Sequence, residues 1–405
     1  MPAAAAVVSS RFDDAVLALG ALLIVGALLT GPARRLRIPA AAAFVLAGFL
    51  LGGGATGWLR FDARSPFVAE LATVALIVIL LRDGLEVEGE MLGTQWRLPL
   101  RKLVIAMPLT AVIVAGVTRW LTGLSWTESF LVGALLSPTD PVLSSSVVTN
   151  PRVPRIVRHS LNLESGLNDG LALPAVLVLA AALSPGHGGF VWWRFVLENL
   201  GFGTAVGLLV GFGAAILIPR AVGPRGVARH QRSLLALGAG LTAYGVAVLL
   251  PNGNGLIAVF GAAIALGVRR PDVREAFAEQ AADLVEIVKL GIFVVFGALL
   301  TLDGLSRSGW AALGVVAATL LLARPAAVFI ALIGTRTDVA TRAFMSWFGP
   351  KGVATMTFSI LVLAQRVSGA VTIFDLAALT VVVSIVVHGA SDRPGAEWLA
   401  RREAQ

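Results

Sequence analysis

The sequence SPTDP at 137–141 interrupts an apolar run that is otherwise long enough to cross a membrane. A second interruption, GPKG at 349–352, lies in a comparable run 212 residues further along the chain. Prolines and glycines free backbone groups that lipid cannot satisfy, so such breaks must face protein or a water-filled cavity. The two interruptions therefore predict two broken helices inside a membrane-embedded protein.

The composition also indicates a membrane protein. Of 405 residues, 57% are hydrophobic and 14% are charged, whereas soluble domains have about 25% charged residues. The chain has no cysteine, which excludes a disulfide scaffold and thiol metal sites. The net charge is +8, but the basic residues lie in small groups between apolar runs. We therefore expect the lipid bilayer as their partner and no nucleic acid.

About thirteen apolar runs are long enough to span a membrane. They lie at roughly 15–31, 38–58, 66–82, 99–121, 127–149, 160–183, 193–218, 233–250, 255–268, 280–301, 309–333, 342–364 and 371–390. The odd-numbered loops and the C-terminal tail hold 21 Lys and Arg residues, Lys102 among them, and the even-numbered loops hold six. The positive-inside rule then predicts a multi-pass protein of the plasma membrane with its N-terminus outside and its C-terminus in the cytoplasm.

The spans divide into two halves of six around a linking seventh span. The first spans of the two halves begin about 218 residues apart, close to the spacing of the two breaks. Halves separated by an odd number of spans have opposite topology. The sequence thus predicts an all-α polytopic membrane protein with two inverted six-helix repeats and crossed broken helices in spans 5 and 12, a pattern typical of secondary transporters. A simple proline kink in each run is the alternative.

Charged residues at membrane depth are costly, so those inside the spans are candidates for function. They are Arg82, Asp83, Asp140, Glu164, Asp169, Asp283, Glu286, Lys289, Arg324 and Lys351. At the breaks, Asp140 has the sign that complements exposed helix N-termini, and Lys351 has the sign that complements exposed C-termini. These two residues either compensate the helix ends or bind a substrate.

Span 6 has the densest polar pattern, NLESGLNDG at 162–170. Glu164 and Asn168 are four residues apart and share a helix face, and Ser165 and Asp169 share the adjoining face. Carboxylate, amide and hydroxyl oxygens suit a hard monovalent cation, and a carboxylate also binds a proton. A polar seam between packed helices is the alternative.

Four motifs resemble those of the monovalent cation–proton antiporters, in particular the NhaP-like branch of Na⁺/H⁺ exchangers: SPTDPV at 137–142, ESGLNDG at 164–170, ARP at 323–325 and WFGPKGV at 347–353. The resemblance implies an NhaA/NhaP-like antiporter fold without a cofactor. It also implies Na⁺/H⁺ or K⁺/H⁺ exchange by an elevator mechanism in a homodimer. It further implies a scaffold at 1–98 and 221–305, a mobile core at 99–190 and 306–390, a linking helix at 191–220 and a cytoplasmic tail at 391–405.

The resemblance also assigns roles to individual residues. Asp169 matches the carboxylate that alternately binds cation and proton, and Na⁺ or K⁺ would lie between Asp169, Ser165 and Thr139. The full implied set for cation and proton is Asp169, Ser165, Thr139, Asp140 and Asn168. Glu164 matches the acid of a structural ion pair whose partner is Arg324.

Asp83, Glu286 and Lys289 are secondary candidates. Asp83 loosely matches an acid that some relatives contribute from span 3. Lys289 either forms an ion pair with Glu286, which the spacing favours, or carries a second proton as in electrogenic relatives. Because Asn168 cannot titrate, the first option predicts an electroneutral exchange of one cation for one proton.

Other function classes fit the sequence less well. The four histidines lie apart and form no His-Glu-x-x-His motif, and no lysine lies in a phosphate-binding loop. We therefore expect a transporter and not an enzyme. A cation channel on a similar scaffold, or an intramembrane aspartyl enzyme that uses Asp140 and Asp169, is the alternative.

Overall fold

The computed structural model describes residues 40–59, 61–63, 65–87, 96–140, 153–184, 190–221, 228–250 and 253–403, with isolated residues between 17 and 24 and at 147 and 150. Over these residues the chain is all-helical and has no strand. The first predicted span, 15–31, lies largely outside the described residues.

The first half of the described chain contains six helices. They are α1 Ala40–Leu51, α2 Pro66–Leu85, α3 Arg97–Thr122, α4 Trp126–Leu136, α5 Arg155–Ala182, and α6, which joins Trp192–Phe195, a π-helical turn Val196–Gly201 and Phe202–Ala221. The second half contains α7 Arg229–Leu249, α8 Gly255–Arg269, α9 Pro271–Gln280, α10 Ala282–Leu299, α11 Leu302–Ser306, α12 Gly309–Ala331, α13 Val339–Trp347, α14 Val353–Ala364 and α15 Ala370–Glu403.

These helices lie where spans 2 to 13 are predicted, and α9 and α11 are short connecting helices in addition. Within the described residues, six helices are long and apolar enough to cross a membrane: α3, α5, α6, α7, α12 and α15. Among the shorter apolar helices are α4 and α14, which belong to the two interrupted spans. The interruptions are therefore real ends of helices, and the simple proline kink is wrong for both.

Side-chain caps explain where several helices begin. Ser125 and Glu128 form a reciprocal capping box at the start of α4. Asn254 accepts from two backbone N–H groups at the start of α8, and Asp338 accepts from Thr341 N at 3.1 Å at the start of α13. Each cap satisfies donors that the first helical turn leaves without a partner. The caps therefore fix the residues at which α4, α8 and α13 begin.

Helices α6 and α8 approach each other through a stripe of glycines. A Cβ on Gly207 or Gly211 would overlap the backbone carbonyl oxygen of Ala258 or Ala262, respectively. Small residues at this spacing let two helix backbones come into direct contact, as is common in membranes. The predicted linking helix, 191–220, is thereby packed directly against α8.

The last helix extends beyond the predicted span 371–390. It continues to Glu403, through residues assigned to a tail. Ala396 and Leu399 are buried in an apolar cluster with Phe348, and Trp347 Nε1 donates to Ser391 Oγ at 2.9 Å. Residues 391–403 are thus part of the packed fold, beside the interruption of span 12.

Candidate cation-binding site

The two interrupted spans meet at their breaks. Helix α4 ends at Leu136, and the backbone N–H of Asp140 donates to the carbonyl of Pro350 at 2.8 Å. Thr355 in the first turn of α14 donates to the carbonyl of Leu135 at 2.9 Å. One break therefore satisfies backbone groups of the other, which lipid cannot do. Residues 141–146, the other side of the first break, lie outside the described part of the chain.

The two charged residues of the breaks each face the other span. Lys351, whose side chain is fully buried, donates to the carbonyl of Pro138 at 3.2 Å, just beyond the C-terminus of α4. Asp140 Oδ2 lies 3.5 Å from the N–H of Val353, the first residue of α14. Lys351 thus lies at carbonyl groups beyond the C-terminus of α4, and Asp140 lies at the N-terminus of α14. These are the favourable positions for a positive and a negative charge, respectively.

Gly352 makes the crossing of the breaks possible, because a Cβ there would overlap the side chain of Asp140. We expect Gly352→Ala to lower the stability of the protein by about 1–3 kcal/mol through overpacking. Melting temperature in detergent measures this effect. Gly116→Ala on α3 is the matched control, because a Cβ there meets no atom within 4 Å. A variant at Gly352 as stable as this control would contradict the close crossing.

In and near Asp169, three oxygen atoms have no hydrogen-bond partner among the residues that the structure describes. They are Oδ1 of Asp169, Oδ1 of Asn168 and Oδ2 of Asp83, all buried. A Cβ on Gly166 would lie 3.5 Å from the carbonyl oxygen of Asp83, so α2 and α5 are in close contact here. Buried acceptors without partners are rare and call for an explanation, such as an ion or a proton.

The charge of Asp169 lies among other charges. Its carboxylate interacts electrostatically with Asp83 and Asp140, and with the cations Arg82 and Lys289. Arg82 Nη2 forms an ion pair with Asp83 Oδ1 at 2.6 Å, which leaves the second oxygen of Asp83 free. The secondary candidates Asp83 and Lys289 therefore belong to the surroundings of Asp169.

Asn168 links α5 to the first break. Its amide nitrogen donates to the carbonyl of Thr139 at 2.6 Å and to Thr139 Oγ1 at 3.1 Å. This orientation directs the amide oxygen away from Thr139. Ser165 lies one turn before Asp169 on the same helix and is buried. The structure thus brings together oxygen-bearing side chains from span 5 and span 6.

Two cations hold Glu164, one at each oxygen. Arg324 Nη1 lies 2.9 Å from Oε1, and Lys102 Nζ lies 2.6 Å from Oε2. The loop count places Lys102 between spans 3 and 4, and this placement is wrong, because Lys102 is buried inside α3. The sequence did contain a signal for the buried position of Lys102, because this residue lies within the predicted span 99–121.

Arg324 also reaches the second break. Its Nη2 lies 3.4 Å from the carbonyls of Met345 and Phe348, and its Nη1 lies 3.5 Å from Thr139 Oγ1. Thr139 Oγ1 in turn lies 3.4 Å from Glu164 Oε1. The acid and its cations therefore connect α3, α5 and α12 with both breaks.

The predicted ion pair between Glu286 and Lys289 is wrong. Both residues lie on α10, but Glu286 is exposed while Lys289 is 4% exposed, and no salt bridge joins them in the described residues. A separation of three residues is sufficient to place one side chain at the helix surface and the other against the core. Asp283 on the same helix is exposed as well.

No group of three His, Cys, Asp or Glu side chains that could hold a metal ion occurs in the part of the chain that the structure describes. The oxygens available near Asp169 are carboxylate, amide and hydroxyl atoms. Such hard, mixed oxygen donors suit an alkali cation that binds as a substrate and leaves again.

The fold has a solved counterpart. The structure of the sodium proton antiporter MjNhaP1 from Methanocaldococcus jannaschii at pH 8 matches with a TM-score of 0.82 and 22% sequence identity, over 96% of this chain and 99% of that chain. At this identity the likeness concerns the fold. Together with the apolar helices, it makes the chain a multi-pass membrane protein with an NhaP-like fold, as the sequence predicts.

Sequence comparison identifies the family. The family model described as "Sodium/hydrogen exchanger, transmembrane" matches residues 20–398. The chain belongs to this family, which is one of transporters and not of enzymes.

Two relatives from bacteria illustrate the family resemblance. The K(+)/H(+) antiporter NhaP2 of Shewanella oneidensis is 28% identical over 375 residues, or 92% of this chain. The K(+)/H(+) antiporter NhaP of Alkalimonas amylolytica is 26% identical over 392 residues, or 95% of this chain. The chain spans 65% and 66% of the lengths of these relatives, respectively.

Proposed function

We propose that this protein exchanges a monovalent cation for a proton across the plasma membrane, and that Asp169 binds the two alternately. The observation that carries the proposal is the buried Oδ1 of Asp169, which, like the nearby oxygens of Asn168 and Asp83, has no hydrogen-bond partner within the described part of the chain. Either a cation or a proton satisfies such an oxygen, and one excludes the other. This mutual exclusion is the basis of coupled exchange.

The cation site consists of Asp169, Ser165 and Thr139, with Asp140 and Asn168 close by. Asn168 contributes by fixing Thr139, and Asp140 contributes charge at the start of α14. Na⁺ is the first candidate on the strength of the sequence motifs. K⁺ is the second, because the two relatives above are described as K(+)/H(+) antiporters.

Alternating access follows an elevator mechanism in this proposal. The core, 99–190 and 306–390, moves with its bound ion against the scaffold, 1–98 and 221–305, which also forms the homodimer. The N-terminus lies outside and the C-terminus in the cytoplasm. Support comes from the breaks, which are joined to each other by one backbone hydrogen bond and by the side chain of Lys351, and to Glu164 by Thr139 and Arg324. Such a connected unit is suited to move as one body.

The function is tested in proteoliposomes with a pH-sensitive dye inside, to which Na⁺, K⁺ and Li⁺ are added one at a time. We expect proton efflux from an acidic lumen only when one of these cations is supplied outside. Proton or cation flux without the opposing ion would indicate a channel instead. Absence of flux with all three cations would contradict the proposal.

We expect exchange to be electroneutral, with one cation for one proton. Asn168 cannot titrate, and Lys289 lies within electrostatic reach of Asp83 as well as Asp169. When a cation neutralises Asp169, the two carboxylates of Asp83 and Asp140 still balance the two cations Arg82 and Lys289. An electrogenic cycle would gain about 2.3 kcal/mol per net charge at 100 mV.

The measurement is the steady-state pH gradient, with the membrane potential clamped by valinomycin first at zero and then at about −100 mV. If each cycle moved one net charge, this change in potential would shift the pH gradient strongly. We expect the same gradient at both potentials. A gradient that follows the potential would make Lys289 a proton carrier, and Lys289→Gln would then remove the dependence on voltage.

A further inference from the structure

Two glycines in the middle of α5, Gly166 and Gly170, flank Asn168 and Asp169 in the chain. Glycine inside a helix is less favourable than alanine, because it loses more conformational freedom on folding. Such a residue therefore calls for a packing or functional reason. Among the described residues, packing supplies this reason for Gly170 but not for Gly166.

Gly170 leaves room for the side chain of Phe260. A Cβ on Gly170 would overlap the ring of Phe260, which belongs to α8. The same part of α8 also contacts α2, because a Cβ on Gly84 would lie 2.6 Å from the Cβ of Ala263 and 3.1 Å from the carbonyl oxygen of Phe260. The backbone of Phe260 is therefore held against α2, and its ring contacts α5 at the residue that follows Asp169.

Gly166 has different surroundings. Among the described residues, the atoms nearest to a Cβ on Gly166 are the carbonyl oxygen of Asp83 at 3.5 Å and Oε2 of Glu86 at 3.7 Å. These are ordinary van der Waals distances, so an alanine would fit at this position. The packing of α5 in this structure thus leaves the second glycine without an explanation.

The spacing of the two glycines suggests one. Residues four apart share a helix face and lie about 6 Å apart along the helix axis. A shift of α5 by this distance, toward the outer side of the membrane in the proposed orientation, would bring Gly166 to the ring of Phe260. A shift in the opposite direction would bring Pro174, whose own ring fills this space. Displacements of one element past another by one helical turn are a known form of switching.

We propose that Phe260 is a positioning residue of the exchange cycle, whose ring packs against Gly170 in the present arrangement and against Gly166 after the core has moved outward by about one helical turn. The proposal rests on the proposed function, since α5 belongs to the proposed core and α8 to the proposed scaffold. The two glycines then define the two end positions between which Asp169 is carried. Gly166 is required in the second position only.

Alanine at the two positions should have different effects. Gly166→Ala fits the present arrangement, so the melting temperature in detergent and its rise with bound cation should be kept. The maximal exchange rate should nevertheless fall at least about tenfold, which corresponds to about 1.4 kcal/mol, because the ring no longer fits in the second position. Gly170→Ala should lower the melting temperature itself. Gly116→Ala, in open space on α3, is the control and should change neither quantity.

A double-variant cycle tests whether Phe260 is responsible. In a Phe260→Ala background the ring is absent, so Gly166→Ala should no longer lower the exchange rate. Phe260 does not provide the nearest neighbours of Gly166 in this structure, and residues without a shared contact normally have additive effects. Equal losses with and without the ring would therefore contradict the proposal, because they would give Gly166 a role of its own.

Crosslinking provides a direct test, because the chain has no cysteine of its own. Phe260→Cys is combined in turn with Gly166→Cys, Gly170→Cys and Pro174→Cys, and Hg²⁺ is added to membranes in the presence of the transported cation. Hg²⁺ joins two thiols only when they come into contact. We expect links from position 260 to positions 170 and 166. Pro174→Cys is the matched control, one turn from position 170 on the opposite side, and should give no link.

A link to position 170 without a link to position 166 would overturn the proposal, and so would equal links to positions 166 and 174. If Phe260→Ala does not fold or does not exchange, the crosslinks still decide. They do not depend on the exchange assay. A protein that forms both expected links but exchanges no cation in liposomes would refute the proposed function and retain the two positions of the core.

Discussion

Replacement of Asp169 by asparagine should abolish cation–proton exchange and leave the protein folded. The substitution preserves the shape of the side chain but removes the group that binds the proton and balances the cation. Because a carboxylate at membrane depth that lies beside two other acids is costly, we expect the melting temperature in detergent to equal or exceed that of the wild type. Exchange in proteoliposomes should fall to the level of empty liposomes.

Binding provides a second measure of the same substitution. A ligand at about 100 times its dissociation constant stabilises the folded state by about 2.7 kcal/mol, so a transported cation should raise the melting temperature of the wild type but not of Asp169→Asn. Asp283→Asn is the matched control, because the same chemical change occurs at an exposed acid. Normal exchange by Asp169→Asn would refute the role of this residue.

The second large effect concerns stability. Loss of one partner from a buried ion pair costs about 3–5 kcal/mol, because the other charge is left without compensation. We expect Arg324→Ala to lower the melting temperature far more than Asp169→Asn does. Glu164→Gln should be more harmful still, since it leaves both Lys102 and Arg324 without their carboxylate.

A double variant separates pairing from packing. Glu164→Gln combined with Arg324→Gln leaves one uncompensated cation in place of two, so it should be more stable than Glu164→Gln alone. Arg307→Ala is the control, because Arg307 is about half exposed and its ion pair with Asp375 should contribute at most about 1 kcal/mol. Equal melting temperatures in all these variants would mean that the buried charges do not stabilise the fold.

Helix positions were predictable because they depend on apolar length, which is a local property of the chain. The interruptions were predictable for a similar reason, since proline and glycine end helices wherever they occur inside an apolar run. The extent of α15 was not predictable from the sequence. The polar and charged residues of 391–403 do not by themselves indicate a membrane helix, and this segment is fixed by tertiary contacts of Leu399 and Ser391.

Within the candidate site, residues whose neighbours are close in sequence could be found from the pattern alone, whereas the distant pair of Glu164 and Arg324 was expected only from the family resemblance. The pattern of Glu164, Ser165, Asn168 and Asp169 is visible on one helix. Lys102 resembles any basic residue near a span end, and only the packing of α3 against α5 reveals its contact with Glu164. The case of Lys289 is similar. Its spacing from Glu286 is compatible with a pair, but tertiary packing separates the two.

The glycine stripe of α6 has a mechanical consequence. Side chains at an interface can change rotamer and so absorb a displacement, but two backbones in direct contact cannot. Gly207 and Gly211 bring α6 onto the carbonyl groups of α8, so this part of the protein has low compliance. Any deformation of the protein must then be concentrated elsewhere, and the pair of α6 and α8 provides a stiff reference for the movement that the proposed exchange cycle requires.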